Sequence, residues 1–112
     1  MIRVLLIHPN DTTSVEAVEI EPDLAFFQGY VGGHIEATYA GLGHVMYVNE
    51  EGKIDGLQPN AIATALVRRA GVDDVIVGPA VVSGPGDAEG FDTSVTGEFI
   101  ELVRSAGVEV VV

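Results

Sequence analysis

The sequence predicts an α+β domain: a mixed β-sheet of about five to six strands with three helices, in the order β-β-α-β-β-α-β-α-β. Three observations carry this expectation. Short apolar or alternating runs recur along the chain, as strands require. Three other stretches place apolar residues at helical spacing between capping residues and glycine stops. The two kinds of segment interleave without strict βαβ repetition, which favours a mixed sheet with helices mainly on one face.

Taken in order, Arg3 to His8 is a continuous apolar run, the pattern of a buried strand. Pro9-Asn10-Asp11 is a turn cluster, and Ser14 to Glu21 is expected to return as a hairpin partner. Pro22 is placed to open a helix, with Asp23 near the positive end of its dipole. Leu24, Phe27 and Val31 form the helical stripe, and Gly32-Gly33 ends it. His34 to Ala40 alternates: Ile35, Ala37 and Tyr39 on one face, His34, Glu36 and Thr38 on the other. Gly41-Leu42-Gly43 connects to a strand over His44 to Asn49. Glu50-Glu51-Gly52-Lys53 reads as a turn with Gly52 at its left-handed position.

Asn60 is the expected N-cap of a helix through Ala70, with Ile62, Leu66 and Ala70 inward and Arg68 and Arg69 at its negative end. Val75 to Val82 reads as a strand, and Ser83 to Asp92 as a surface loop. Thr96 caps a helix to Ala106, with Phe99, Leu102, Val103 and Ala106 inward and Glu101–Arg104 as a surface pair. Gly107 stops it before a last strand, Val108 to Val112.

The bulk properties bound the class. One hundred and twelve residues, 47% of them hydrophobic, fit a single domain with one ordinary core, residues 1–112. The absence of cysteine excludes disulfides, thiolate nucleophiles and cysteine zinc sites, and fits a reducing cytoplasm. No run approaches the ~20 apolar residues of a membrane span, and the N-terminus lacks the parts of a signal peptide. A soluble, cytoplasmic protein is therefore expected, without membrane contact. Seventeen acidic residues against five basic ones give a formal charge of −12. A field of that sign repels nucleic-acid backbones and favours basic partners.

Four motif groups stand out: Val31-Gly32-Gly33-x-Ile35-Glu36, Asn49-Glu50-Glu51-Gly52-Lys53, Gly56-Leu57-x-Pro59-Asn60, and Phe91-x-x-Ser94-x-Thr96-x-Glu98. In this order the chain resembles an uncharacterised family of small bacteriophage, bacterial and conjugative-element proteins, catalogued as a domain of unknown function. The resemblance covers nearly the whole chain and departs from the pattern at Gly84–Gly90 and in the valine-rich C-terminus. It implies an accessory protein of a mobile element, acting in the host cytoplasm if phage-encoded, and brings no catalytic residues with it.

The residues themselves yield little catalytic chemistry. Gly84-Pro85-Gly86-Asp87-Ala88-Glu89-Gly90 is glycine-rich but carries two acids and no base, so phosphate is repelled. Gly32-Gly33 ends a helix instead of opening one, unlike a dinucleotide fingerprint. His8, His34 and His44 lack two-histidine metal spacing and are expected as surface or capping residues. Asn49 to Gly56 lacks the ligand spacing of a calcium loop, and Asp73-Asp74 is read as ordinary loop polarity. Neither Ser83 nor Ser94 has the setting of an activated serine.

The expectation is a non-enzymatic binding protein with no cofactor or metal, acting on a host protein. Two alternatives compete: an acidic DNA mimic that blocks a DNA-binding or restriction factor, and a small-molecule or nucleotide binder. The candidate binding surface is His34, Glu36 and Thr38 on their strand, beside the turn residues Asn49, Glu50, Glu51 and Lys53. The hydrophobic Val108–Val112 segment, if it forms a sheet edge, predicts a homodimer.

Overall fold

A central six-stranded sheet organises the chain, seen in a computed structural model that describes residues 1–112. The strands are β1 (Ile2–Ile7), β2 (Ser14–Ile20), β3 (Ile35–Gly41), β4 (His44–Asn49), β5 (Ala80–Ser83) and β6 (Glu109–Val111). The helices are α1 (Leu24–Val31), α2 (Ala61–Arg69) and α3 (Gly97–Ser105). The order along the chain is the predicted one.

Spatially the strands run β3-β4-β5-β1-β2-β6. Every neighbouring pair is antiparallel except β2–β6, which is parallel, so the sheet is mixed. The β1–β2 hairpin is closed by Asp11. Its carboxylate accepts from the backbone N–H groups of Thr13 and Ser14, each at 3.0 Å, and from Ser14 Oγ at 2.7 Å. These donors, Ser14 Oγ first, hold the Asp11 pKa down to about 2.

Both faces of the sheet are covered. On one, α2 and α3 bury Ile62, Ala63, Leu66, Val67, Phe99 and Val103 against Leu5, Ile7, Met46, Val48 and Val82. On the other, α1 buries Phe27 and Val31 against Val4, Ile20 and Val81. Thus two helices share a face, as expected, and the third builds a smaller core on the opposite side.

Local departures from expectation have clear causes. Helix α1 starts at Leu24 and not at Pro22, because the Asp23 side chain accepts from Phe26 N–H at 2.9 Å and takes the N-cap. Gly32, at φ 83°, closes it in the left-handed conformation. The strand expected over Val75–Val82 is halved. Asn60 N–H donates to Ile76 C=O, Val77 bridges only to Pro59, and Gly78 at φ 77° turns the chain before β5 begins.

Gly52 does not occupy a left-handed position; that belongs to Gly56 at φ 69°. Gly52 is instead needed for close packing, since a Cβ there would lie 2.9 Å from Val77 Cγ2. Between β3 and β4, Leu42 holds φ 52°, a conformation that costs an ordinary residue about 1 kcal/mol.

No helix is long and apolar enough to cross a membrane.

Candidate functional site

The sequence motifs resolve first into architecture. Asn60 is fully buried and does two jobs. Its Oδ1 accepts from Ala63 N–H at 3.1 Å, capping α2. Its Nδ2 donates to the carbonyls of Ile7 and Gly78, both at 2.9 Å, tying α2 to β1 and to the approach to β5. Asn49, also buried, donates to Val31 C=O at 3.2 Å and accepts from Glu51 N–H at 2.8 Å. It thereby clasps the end of α1 to the turn after β4. Gly33 leaves it room: a Cβ there would stand 3.0 Å from Asn49 Nδ2. In the last motif, Ser94 Oγ accepts from Arg3 N–H at 3.0 Å and Thr96 Oγ1 caps α3 through Phe99 N–H at 3.1 Å. Phe91 is exposed.

Around the Asn49 clasp lies a small cleft of about 130 Å³. It is lined by Glu36 from β3, Asn49 and Glu50 from the end of β4, Lys53 and Ile54 from the following turn, and Asp74 to Val77. Four of the seven sequence-predicted surface residues, Glu36, Asn49, Glu50 and Lys53, therefore converge. His34 is exposed just before β3, Glu51 is exposed in the turn and Thr38 is half-buried; none of these three lines the cleft.

The cleft is electrostatically lopsided. Lys53 Nζ is paired with Asp74 Oδ1, and this bond, foremost, lowers the Asp74 pKa, aided by Val75 N–H and the charge of Arg68. Glu36 and Glu50 have no cationic partner among the three ion pairs of the chain, the others being Arg3–Glu19 and Arg104–Glu101. Three carboxylates thus face one ammonium that is already taken.

The assignment of faces on β3 needs correcting. Glu36 and Thr38 pair with Val48 and Met46, whose side chains lie in the larger core, so theirs is the face toward α2. Ala37 and Tyr39, on the opposite face, are exposed. β3 is an edge strand, and the short α1 does not reach over its far half.

Two polar groupings went unseen in the sequence. His44 is fully buried and stacked on Phe99 at 4.2 Å. Its Nδ1 donates to Leu42 C=O at 2.9 Å, while Nε2 accepts from Thr96 N–H at 3.1 Å. It is thus a capping residue, as expected of the histidines, but an interior one. Burial pushes its pKa down, against the opposing pull of the Leu42 and Gly41 carbonyls and Glu98. The second grouping is Asp92, which accepts from Tyr47 OH at 2.6 Å and Ser83 Oγ at 3.1 Å. Burial first, then this carboxylate, pushes the Tyr47 pKa up to about 12. The contact anchors the 84–91 loop back to the sheet. Only the short spacing between Ser83 and Asp92 hints at it in the sequence.

No group of three or more His, Asp and Glu side chains is placed to hold a metal ion. Residues 2–106 match the family model described as Domain of unknown function (DUF3846). The chain belongs to the DUF3846 family. No curated protein and no solved structure matches it. The family resemblance read from the four motif groups is met at this level. In the DUF3846 domain those motifs serve chiefly as caps, close packing and clasps, and in the cleft two of their carboxylates, Glu36 and Glu50, stand unpaired.

Proposed function

We propose that this DUF3846 domain is a non-enzymatic binding protein that recognises another protein through the acidic cleft beside β3. The observation that carries the reading is the pair Glu36 and Glu50: two carboxylates on one small concavity whose one cation, Lys53, is taken by Asp74. Neither supports the fold through a side-chain bond. The cleft suits one side chain of a partner, since about 130 Å³ falls well below the several hundred Å³ of small-ligand pockets. That size favours a protein over a nucleotide. The sign of the charge favours a lysine or arginine, and the formal charge of −12 steers basic surfaces toward it. The mobile-element setting implied by the family resemblance makes a host cytoplasmic protein the expected partner.

The test is affinity capture from host lysate at low salt, with wild-type and Glu50→Lys domains side by side. A partner retained by the wild type and lost from the variant supports the reading. An identical captured set from both, or nothing enriched by the wild type, sinks it.

A further inference from the structure

The two edges of the sheet are built differently. β6 has three residues and stops one residue before Val112, whereas β3 has seven and runs the depth of the sheet. Long edges are normally blunted by lysine, proline or bulges; β3 contains neither lysine nor proline, and its one irregularity falls between Tyr39 and Gly41. Its backbone directions follow from one bond: Glu50 N–H donates to His34 C=O at 2.8 Å. By antiparallel alternation, Glu36 and Thr38 also direct their backbone groups to β4, while Ile35, Ala37 and Tyr39 direct theirs outward. Ala37 and Tyr39 also carry exposed side chains, with Tyr39 49% accessible.

The charges at the two ends of this edge are opposite and unsatisfied. Glu36 stands near one end without a cation. At the other, Arg69 lines a hollow with Tyr39, Ala40, Gly41 and Leu42, and pairs with no carboxylate.

We infer that a second copy of this chain pairs antiparallel along β3, about a two-fold axis at Thr38, giving one continuous sheet across both copies. In that register Ala37 faces the second copy's Tyr39 and exchanges both backbone hydrogen bonds with it. The small side chain leaves room for the large one. Thr38 meets Thr38, and Glu36 meets the second copy's Ala40. Each Glu36 then lies beside the second copy's Arg69, which gives both charges a partner. An isologous contact closes after two copies, so it buries both long edges without making a filament. In the dimer Glu36 is matched by Arg69, and Glu50 remains the cleft carboxylate open to a partner. This contact differs from the β6 route expected from the valine-rich terminus, which forms the other edge of the sheet. It stands whether or not the cleft binds a partner protein, because its test reads mass and leaves Glu50 untouched.

Sedimentation equilibrium of the full chain, up to about 1 mM, reads the association directly. The wild type is expected to show a dimer. Ala37→Pro removes only an outward N–H and is expected to give a folded monomer. Glu36→Arg or Arg69→Glu alone should weaken dimerisation at least about tenfold, and the two together should restore it to within about threefold. A wild type that stays monomeric over the whole range overturns the inference. So does a double reversal that fails to restore, or a dimer abolished by deleting Val110–Val112 yet indifferent to the charge changes. If Ala37→Pro does not fold, the exposed charge set decides alone.

Discussion

The interior polar residues and the cleft carboxylates obey opposite rules. Asn60, Asn49 and His44 are buried, and each has its hydrogen-bonding groups satisfied by backbone partners from other elements. Glu36 and Glu50 lie at the surface with no side-chain partner within the chain. The difference teaches which polar residues serve folding and which are free to serve something else. A buried amide or imidazole left without partners costs its full desolvation, so its place in the fold is fixed. An exposed carboxylate bears no such constraint.

The largest expected effect comes from breaking an interior clasp. Asn60→Ala removes the α2 cap and leaves the Ile7 and Gly78 carbonyls buried without their donor. We expect a loss of about 3 kcal/mol, measured by urea unfolding. A loss under about 1 kcal/mol, the size of a surface cap alone, would mean that the two carbonyls find water.

His44 tests the same rule through pH. Its folded pKa lies below the ordinary 6.5, so the unfolded chain takes up the proton first. Stability is therefore full above pH 6.5 and falls as the pH drops through the lowered folded value. Urea midpoints at pH 7.5 and about 5.5 should show that fall. His44→Gln should flatten it, since an amide does not titrate there. An equal fall in the variant would assign the effect to other groups.

The smallest effect is expected at the cleft. Glu50→Lys should change stability by less than about 0.5 kcal/mol, because no internal bond is lost. A loss above 1 kcal/mol would show that Glu50 supports the fold and would blur the contrast with the clasps.

Much of the architecture was legible. Ser/Thr/Asn/Asp caps and glycine stops work through the local backbone, so Asn60, Thr96 and Gly32 could be read directly. The periodicity of α3 placed Phe99 and Val103 inward for the same local reason. Less legible were features set by distant neighbours. The Val75–Val82 run is apolar enough for one strand, yet Asn60 and Gly78 divide it. Gly52 reads as a turn residue but is required by Val77, twenty-five positions away.

For the candidate site, the sequence offered seven residues and tertiary structure sorted them. It brought Glu36 to Asn49, Glu50 and Lys53 by pairing β3 with β4, and it left His34, Glu51 and Thr38 outside. It also converted Asn49 from a surface residue into a clasp. Asp74 entered from a segment read only as loop polarity, because Lys53 finds it across the fold.

By itself, the sequence determined the order of strands and helices, their caps and the acidic sign of the molecule. These follow from local periodicity, backbone chemistry and composition. Only the tertiary structure decided the strand order, the covering of both sheet faces, the burial of His44 and the cleft's unpaired carboxylates. These depend on which distant segments meet, and that is set by long-range packing and hydrogen bonding.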